Sequence, residues 1–497
     1  MSLSPTIDAP AAVPFVCACD NDMRPACKDL DFFRVYENKS YCVLHYPGQD
    51  KSERFGQVLK EKLAAQNFNF QGVRFVGDVD FSNVQFTEAD FDHAIFPGLA
   101  DFTSATFTGK AIFEYAAFSR ADFKSATFGG TTSFRSASFS VLALFQFATF
   151  AKETSFRYAL FATAALPERS TSPVAHFTST TFEADVDFEH AEFGTIAYFT
   201  KAKFNGAASF NSVTFDGAAY FPSATFNAAA DFDSVRFGAA ALFDSATFKD
   251  YARFAGSDGD PVFVDTSSLS LRFANIEKPE RFLFHTLKLR PHWFVNVDAR
   301  SFDLTNVVWD WRHIDIRSEI KGIGGEDVLS AHRLLAVTCR DLADNAEANH
   351  RYEEASKFRY MAMDAWRLER WRGFTFWRLG WWYWLASGYG ERILRALAVF
   401  LIIWLSFAAL YSLPEPVRCP DGVRSPDCIG WDTTEKTRGF FDSFSNSAAY
   451  AIEAMTLQKP EPRPATPPAR LAVLLCTILG PVQAALLALA IRRKFMR

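Results

Sequence analysis

The sequence predicts a β-solenoid carried on two membrane-spanning helices, and three observations predict it. Phenylalanine recurs from Phe70 to Phe254 at steps that alternate between five and six residues. A small residue stands two positions before many of these rings. Two apolar runs, Leu394 to Leu413 and Leu471 to Ile491, lie near the C-terminus.

Composition agrees with a repeat. Of 497 residues, 54 are Phe, about a tenth of the chain and well above ordinary usage. The net charge is −5 without a long run of one sign, so nothing in the charge calls for a nucleic-acid partner. Met1 to Phe15 lacks a basic region followed by an apolar one, so no secretory signal is expected and the first domain is placed in the cytosol. The expected segments are a flexible 1–14, a Cys/His module with a helix at 15–66, the repeat at 67–256, a β cap at 257–320, and a helical adaptor with an interfacial segment at 321–388. A first transmembrane helix at 389–413, an external loop at 414–470, and a second transmembrane helix with a basic tail at 471–497 complete the chain.

In the N-terminal module Cys19, Cys27, Cys42 and His45 form a Cys₃His set, with Cys17 as an alternative to Cys19. Thiolates and imidazole are the donors of closed tetrahedral zinc sites, and a segment this short gains from a metal clip because it cannot bury a core of its own. Four protein ligands leave no position for water, so the expected Zn²⁺ is structural and not catalytic.

In the repeat, Phe at Phe102, Phe107, Phe113 and Phe118, and again at Phe210, Phe215, Phe221 and Phe226, gives a super-period of eleven, interrupted between Phe161 and Phe177. An eleven-residue period also suits a supercoiled helix, but a five-residue step turns about 140° around a helix and leaves any single stripe. In an extended strand Ala105 and Phe107, or Ala224 and Phe226, share one face, while Thr106 and Thr225 point outward. These segments, such as Ala105-Thr106-Phe107-Thr108-Gly109, resemble the pentapeptide-repeat family. The resemblance implies a right-handed quadrilateral parallel β-helix with one pentapeptide per side. The extra residue in alternate repeats should then bulge a corner. About eight coils are expected over Phe70 to Phe254, stacked at about 4.8 Å. Some members of the family imitate DNA, but this stretch carries 20 acidic and 13 basic residues, a net of −7 that is too mild to do so. Tyr41-Cys42-Val43-Leu44-His45-Tyr46-Pro47 also resembles the Cys-x-x-His-x-Pro element that precedes such repeats in related bacterial proteins, which supports the zinc expectation.

Val262 to Ile320 reads as irregular strands capping the solenoid, with His292, Asp298 and Arg300 in structural roles. From Glu326 to Trp371, Leu334, Leu335 and Leu342, then Tyr352, Ala355, Phe358 and Met361, fall at helical spacing, with Asn345 to Asn349 separating two helices of an assembly or docking element. Each C-terminal run spans about 30 Å as a helix. Trp377, Trp381, Trp382 and Trp384 with nearby arginines flank the first, and Arg492, Arg493, Lys494 and Arg497 follow the second. Both termini are therefore expected in the cytoplasm, with two passes through the inner membrane. The connection lies outside, where Cys419 and Cys428 can form a disulfide.

Phe440 to Met455 is a short apolar helix candidate inside that connection. Two spans with a re-entrant helix between them resemble the pore module of two-transmembrane cation channels, which implies a homo-oligomer. The potassium filter of such channels is absent: Met455-Thr456-Leu457-Gln458-Lys459-Pro460 has no glycine to present a ring of carbonyls. Glu453, Met455 and Thr456 are the pore-region candidates, Glu453 first because an ionisable group there would line a path. No catalytic constellation is legible, so no enzyme is expected. The two functional expectations are a channel-like oligomer with a sensing solenoid and a non-conducting scaffold whose solenoid binds a protein.

Overall fold

The computed structural model describes residues 15–161, 174–256, 262–264, 267–309, 311, 316–323, 331–369, 379–412, 440–458 and 467–495. It divides into two units, Met1–Ile323 and Gly324–Arg497.

The first unit is a parallel β-solenoid entered through the Cys/His module. Its strands are mostly two residues long and pair only with the same position one turn away. Thr127 and Phe128 lie between Thr106 and Phe107 on one side and Thr149 and Phe150 on the other. One column has ten strands, from Ala89–Asp90 to Asp303–Thr305, and a second has nine, from Gln85–Phe86 to Asn275–Ile276. Two further columns are joined into one sheet of 13 strands by Ile95–Asp101, Ala117–Asp122 and Ser138–Leu144, which run through a corner with a shift of register. Eight strands of the ten-strand column fall between Phe70 and Ala255, the eight coils expected there, and two more beyond them bring the solenoid to about ten turns. The ladders do not end at Gly256: Ser268–Ser270, Asn275–Ile276 and Phe282–His285 pair onto the turn before them. The sequence hides this continuation because Leu269 stands where Ala is expected and Ile276 where Phe is expected.

The alternation of five and six has a simple origin in the corners. After Phe102 the chain turns in four residues, the Ala105 N–H donating to the Phe102 carbonyl at 3.0 Å, with Ser104 left-handed at φ 57°. Ser125, Ser136, Ser212, Ser223 and Ser245 occupy the equivalent position. The Asp101 carboxylate accepts from the Thr103 N–H at 2.9 Å and presets this tight corner. The other corners, as at Thr108 to Lys110, take the additional residue.

Inside, the rings form continuous stacks. Phe107 lies 4.6 Å from Phe128 at 4°, and Phe204 lies 4.7 Å from Phe226 at 2°. Adjacent stacks meet edge to face, as Phe188 does with Phe199 at 5.6 Å and 89°. Ladders on both sides of residues 162–173 remain in register, Phe161 pairing with Phe139 and Phe193, and Ala175 with Ala143.

Helix α1 (Ser52–Ala64) closes the first end through Phe55, which packs on Phe75 at 5.6 Å. At the other end α2 (Ile316–Ile323) brings the buried Glu319 to His292 Nδ1 at 2.7 Å. Asp298 and Arg300 pair with each other at the surface.

The second unit is helical. α3 (Ala331–Ala348) and α4 (Tyr352–Glu369) pack as a hairpin. Asn345 does not begin the break between them: it is buried inside α3, where its side-chain oxygen accepts from Arg351 at 2.7 Å, and the turn falls at Asn349 to Arg351. α5 (Leu379–Ser387) leads into α6 (Ile393–Ser412), and α7 (Phe440–Met455) packs on both α6 and α8 (Pro467–Phe495).

Candidate functional site

The first site is the N-terminal cluster. The short hairpin Arg34–Tyr36 and Lys39–Tyr41 delivers Cys42, and one turn later His45 returns beneath it, the Tyr46 N–H donating to the Cys42 carbonyl at 3.0 Å. A 3₁₀ helix, Asn21–Cys27, supplies Cys27 at its end. Ligand atoms of Cys17, Cys27, Cys42 and His45 all lie within 4.8 Å of one another, and all four residues are buried. Sulfurs bound tetrahedrally at about 2.3 Å would stand about 3.8 Å apart, so the set needs only a small contraction to hold a metal ion. The drawn-in quartet contains Cys17, the alternative, in place of Cys19. Cys19 stands half-buried at the edge, its Sγ 4.0 Å from that of Cys27. The reason is backbone geometry: Cys17 Sγ accepts from the Cys42 N–H at 3.4 Å, which holds it beside the turn that carries His45.

His45 is oriented for ligation. Its Nε2 lies 2.9 Å from the Gln71 carbonyl, an acceptor, so Nε2 carries the proton and Nδ1 faces Cys42 Sγ at 3.2 Å and Cys17 Sγ at 3.7 Å. Burial works to lower the imidazole pKa, but hydrogen bonds from the ring to the cysteine sulfurs, Cys17 foremost, raise it to about 12. Hydrogen bonds from Cys19, Cys27 and Cys42 drive the Cys17 thiol down against its burial, while those to Cys17, Cys19 and Cys42, with burial, push Cys27 up. The cluster thus divides its protons unevenly, and a dication at its centre would take their place.

Two lysines that the sequence reading passed over complete the module. Lys51 and Lys62 are both buried, and their ammonium groups donate to the Leu44 and Ala26 carbonyls at 2.9 and 3.2 Å. Each therefore clamps the residue preceding a ligand, His45 or Cys27. Their signal was present in the spacing: Lys51, Phe55, Val58 and Lys62 fall on one helical face, and all four are buried.

The second site is the helical bundle of α6, α7 and α8. Windows in Ile393–Ser412 and Arg470–Arg493 have mean hydropathies of 2.4 and 2.2, so both helices are long and apolar enough to cross a membrane. α7 lies against them through Tyr411, Ala448 and Ala451, with the Trp404 indole N–H donating to the Ala448 carbonyl at 2.9 Å. Its last turn packs Met455 with Cys476, Phe400 and Ile403. A Cβ on Gly480 would lie 2.6 Å from the Met455 Cβ, so only glycine allows this approach. Glu453 is half-buried in the same turn, and the exposed Thr456 hydroxyl donates back to the Ile452 carbonyl at 2.9 Å. Cys419 and Cys428 lie outside the described residues.

At the end near Glu391 and Arg493 the bundle is tied to α4. The nearly buried Glu391 carboxylate accepts from Ser356 Oγ of α4 at 2.5 Å and pairs with Arg493 of α8 at 3.1 Å. Gln483 of α8 donates to the Ala386 and Ala396 carbonyls at 2.7 and 2.8 Å.

The family model for pentapeptide repeats (9 copies) matches residues 91–138 and 174–214. No curated protein and no solved structure matches the chain. The matched segments coincide with the stacked Phe ladders of the β-solenoid, so this part of the ladder is similar to pentapeptide repeats.

Proposed function

We propose that the chain is a two-pass membrane protein whose C-terminal bundle assembles as a homo-oligomer around a channel-like path, with the solenoid as a cytosolic arm that senses or recruits a protein. The depth reached by α7 carries this reading. Met455 ends the helix against Gly480, ten residues after Arg470 and thirteen before Arg493. Those offsets are about 15 and 20 Å along α8, the middle of a bilayer. The carbonyls of its last turn are taken up locally, Ile452 by the Thr456 N–H, Glu453 by the Gln458 N–H and Ala454 by the Leu457 N–H, but the half-buried Glu453 and the exposed Thr456 would stand at mid-depth, where lipid does not tolerate an ionisable group and a water-filled or protein-lined cavity does. The same end carries the negative pole of the helix, reinforced by Glu453, and so favours a cation. The exposure of the two spans supports membrane insertion: their windows are only 11% and 22% buried, unlike the core helix of a soluble domain.

One hairpin encloses no path by itself, so conduction requires copies around an axis. Glycine-free Met455 to Gln458 argues against a potassium filter. The arginines beside both spans assign the termini to the cytoplasmic face of the inner membrane. The Cys₃His cluster holds structural Zn²⁺ in this reading, since thiolate and imidazole donors without an open position suit that ion. No catalytic step belongs to it. The full chain reconstituted in planar bilayers should pass cations with little K⁺ over Na⁺ preference, and Glu453→Gln should lower the current. Silence from correctly inserted oligomers across several salts would reject conduction and leave the second reading, a membrane scaffold that displays the solenoid to a protein partner.

A further inference from the structure

We propose that Cys19 is the sensing thiol of an oxidation-released metal centre, forming a disulfide with Cys27 that removes one ligand. The inference rests on the zinc reading above and adds what the fifth sulfur does. Five donors converge where four suffice: Cys17, Cys27, Cys42 and His45 form the mutual set, and Cys19 is left over. Its position is unlike that of the others. Cys17, Cys27, Cys42 and His45 are between 0% and 6% exposed, whereas Cys19 is half-buried and reaches the surface. Its sulfur is 4.0 Å from Cys27 Sγ, so a rotamer change and a small shift of Cys19, which precedes the 3₁₀ helix ending in Cys27, bring the pair to bonding distance.

A groove of about 610 Å³ opens onto Cys17 and Cys27 and is flanked by Arg24 and Lys28. Cys19 is not among its lining residues, so an oxidant reaches the Cys19 sulfur from the exposed edge of the cluster rather than through this groove. With hydrogen peroxide the chemistry balances. The Cys19 sulfur attacks one peroxide oxygen, the S–O bond forms, the O–O bond breaks, and the departing hydroxide takes the thiol proton as water. Cys27 sulfur then attacks the Cys19 sulfenic acid, forming the S–S bond and expelling the second hydroxide, which leaves as water with a proton from solvent. Two sulfurs are oxidised by two electrons in total, and peroxide is reduced to two waters. The metal retains Cys17, Cys42 and His45, loses its fourth ligand, and is released more readily; a dithiol reductant reverses the step.

The test uses full-length protein in detergent, with metal content measured before and during peroxide titration by a zinc-sensitive dye. Asp-N cuts before Asp20 and Asp22 and so separates Cys19 from Cys27, and fragmentation of the linked peptides after alkylation tells Cys19 from Cys17, which shares its peptide. The wild type should carry zinc, release it on oxidation and yield a Cys19–Cys27 linkage, both reversed by dithiothreitol. Cys19→Ser should keep its zinc and release it at least about tenfold more slowly, because the remaining thiols are all occupied as ligands. Wild type purified without zinc would overturn the zinc reading itself. Zinc in the wild type but none in Cys19→Ser, release equally fast from both, or a wild-type disulfide that joins other cysteines would each overturn the switch while leaving the metal site standing.

Discussion

Phe215 shows how one side chain supports the rod. It is fully buried between Phe193 at 4.9 Å and Phe237 at 5.4 Å, so a smaller polar residue there leaves a void and an unpaired hydroxyl in two interfaces at once. Phe215→Ser should cost about 3 kcal/mol or more, read as a lowered urea midpoint of the solenoid; an unchanged midpoint would contradict the inward stack. Lys51 makes the opposite demand. Burial lowers its pKa from 10.5 to about 7, Cys42 opposing and Arg74 assisting. Between those values the unfolded chain holds a proton that the folded chain has released, so stability rises with pH across that window and levels off below about 7. Lys51→Met should flatten this dependence. Subtilisin cleavage of Ser52–Ala64 in urea at pH 7, 8 and 9 would measure it, with wild type becoming more resistant relative to the variant as pH rises.

Among elements, the contact between α7 and α8 is the most exacting. Gly480→Val places a branched side chain where Met455 backbone and side chain already stand at 2.6 to 2.8 Å from a Cβ, and neither helix has room to yield. The variant should insert normally yet lose α7 packing, seen as increased labelling of Cys476, which is buried against Met455 in the native bundle. Unchanged labelling would place α7 elsewhere. The junction at Glu391 works by charge. Glu391→Gln retains the bond from Ser356 but weakens the pairing with Arg493, so α4 and the end of α8 should loosen without loss of either helix. Greater hydrogen exchange confined to those two ends is the expected outcome, and no change would remove the junction as a link between adaptor and bundle.

For the whole molecule, the metal module and the rod differ in what holds them. The module gathers four candidate metal ligands and two lysine clamps, whereas each solenoid turn is held by the turns beside it. Chelation should therefore release Cys17 to Ala64 and expose the first turn, where His45 contacts Gln71 and Phe55 covers Phe75, yet leave the central ladders protected. Collapse of the entire rod on chelation would show that the module nucleates it.

The inward face of the rod was legible from spacing, because a residue's side of a strand depends only on its neighbours a few positions away; Phe107, Phe128 and Phe150 had to stack once the backbone was extended. The length and apolarity of the two C-terminal helices are local in the same sense. The rest is decided by where distant segments meet. Cys17 and Cys19 differ by two positions, and their spacings to Cys42 could not rank them; the Cys42 N–H, bonded to Cys17 Sγ, did so. Leu269 in an Ala position and Ile276 in a Phe position kept the ladder going where the repeat lapsed, because pairing is judged by the turn below and not by residue type. The depth of α7 likewise belongs to a meeting of Met455 with Gly480, 25 residues along the chain, which no pattern within either helix could specify. The repeat that announces the solenoid is a property of short range, and the metal ligands and the buried helix end are properties of long range, set only when the chain closes on itself.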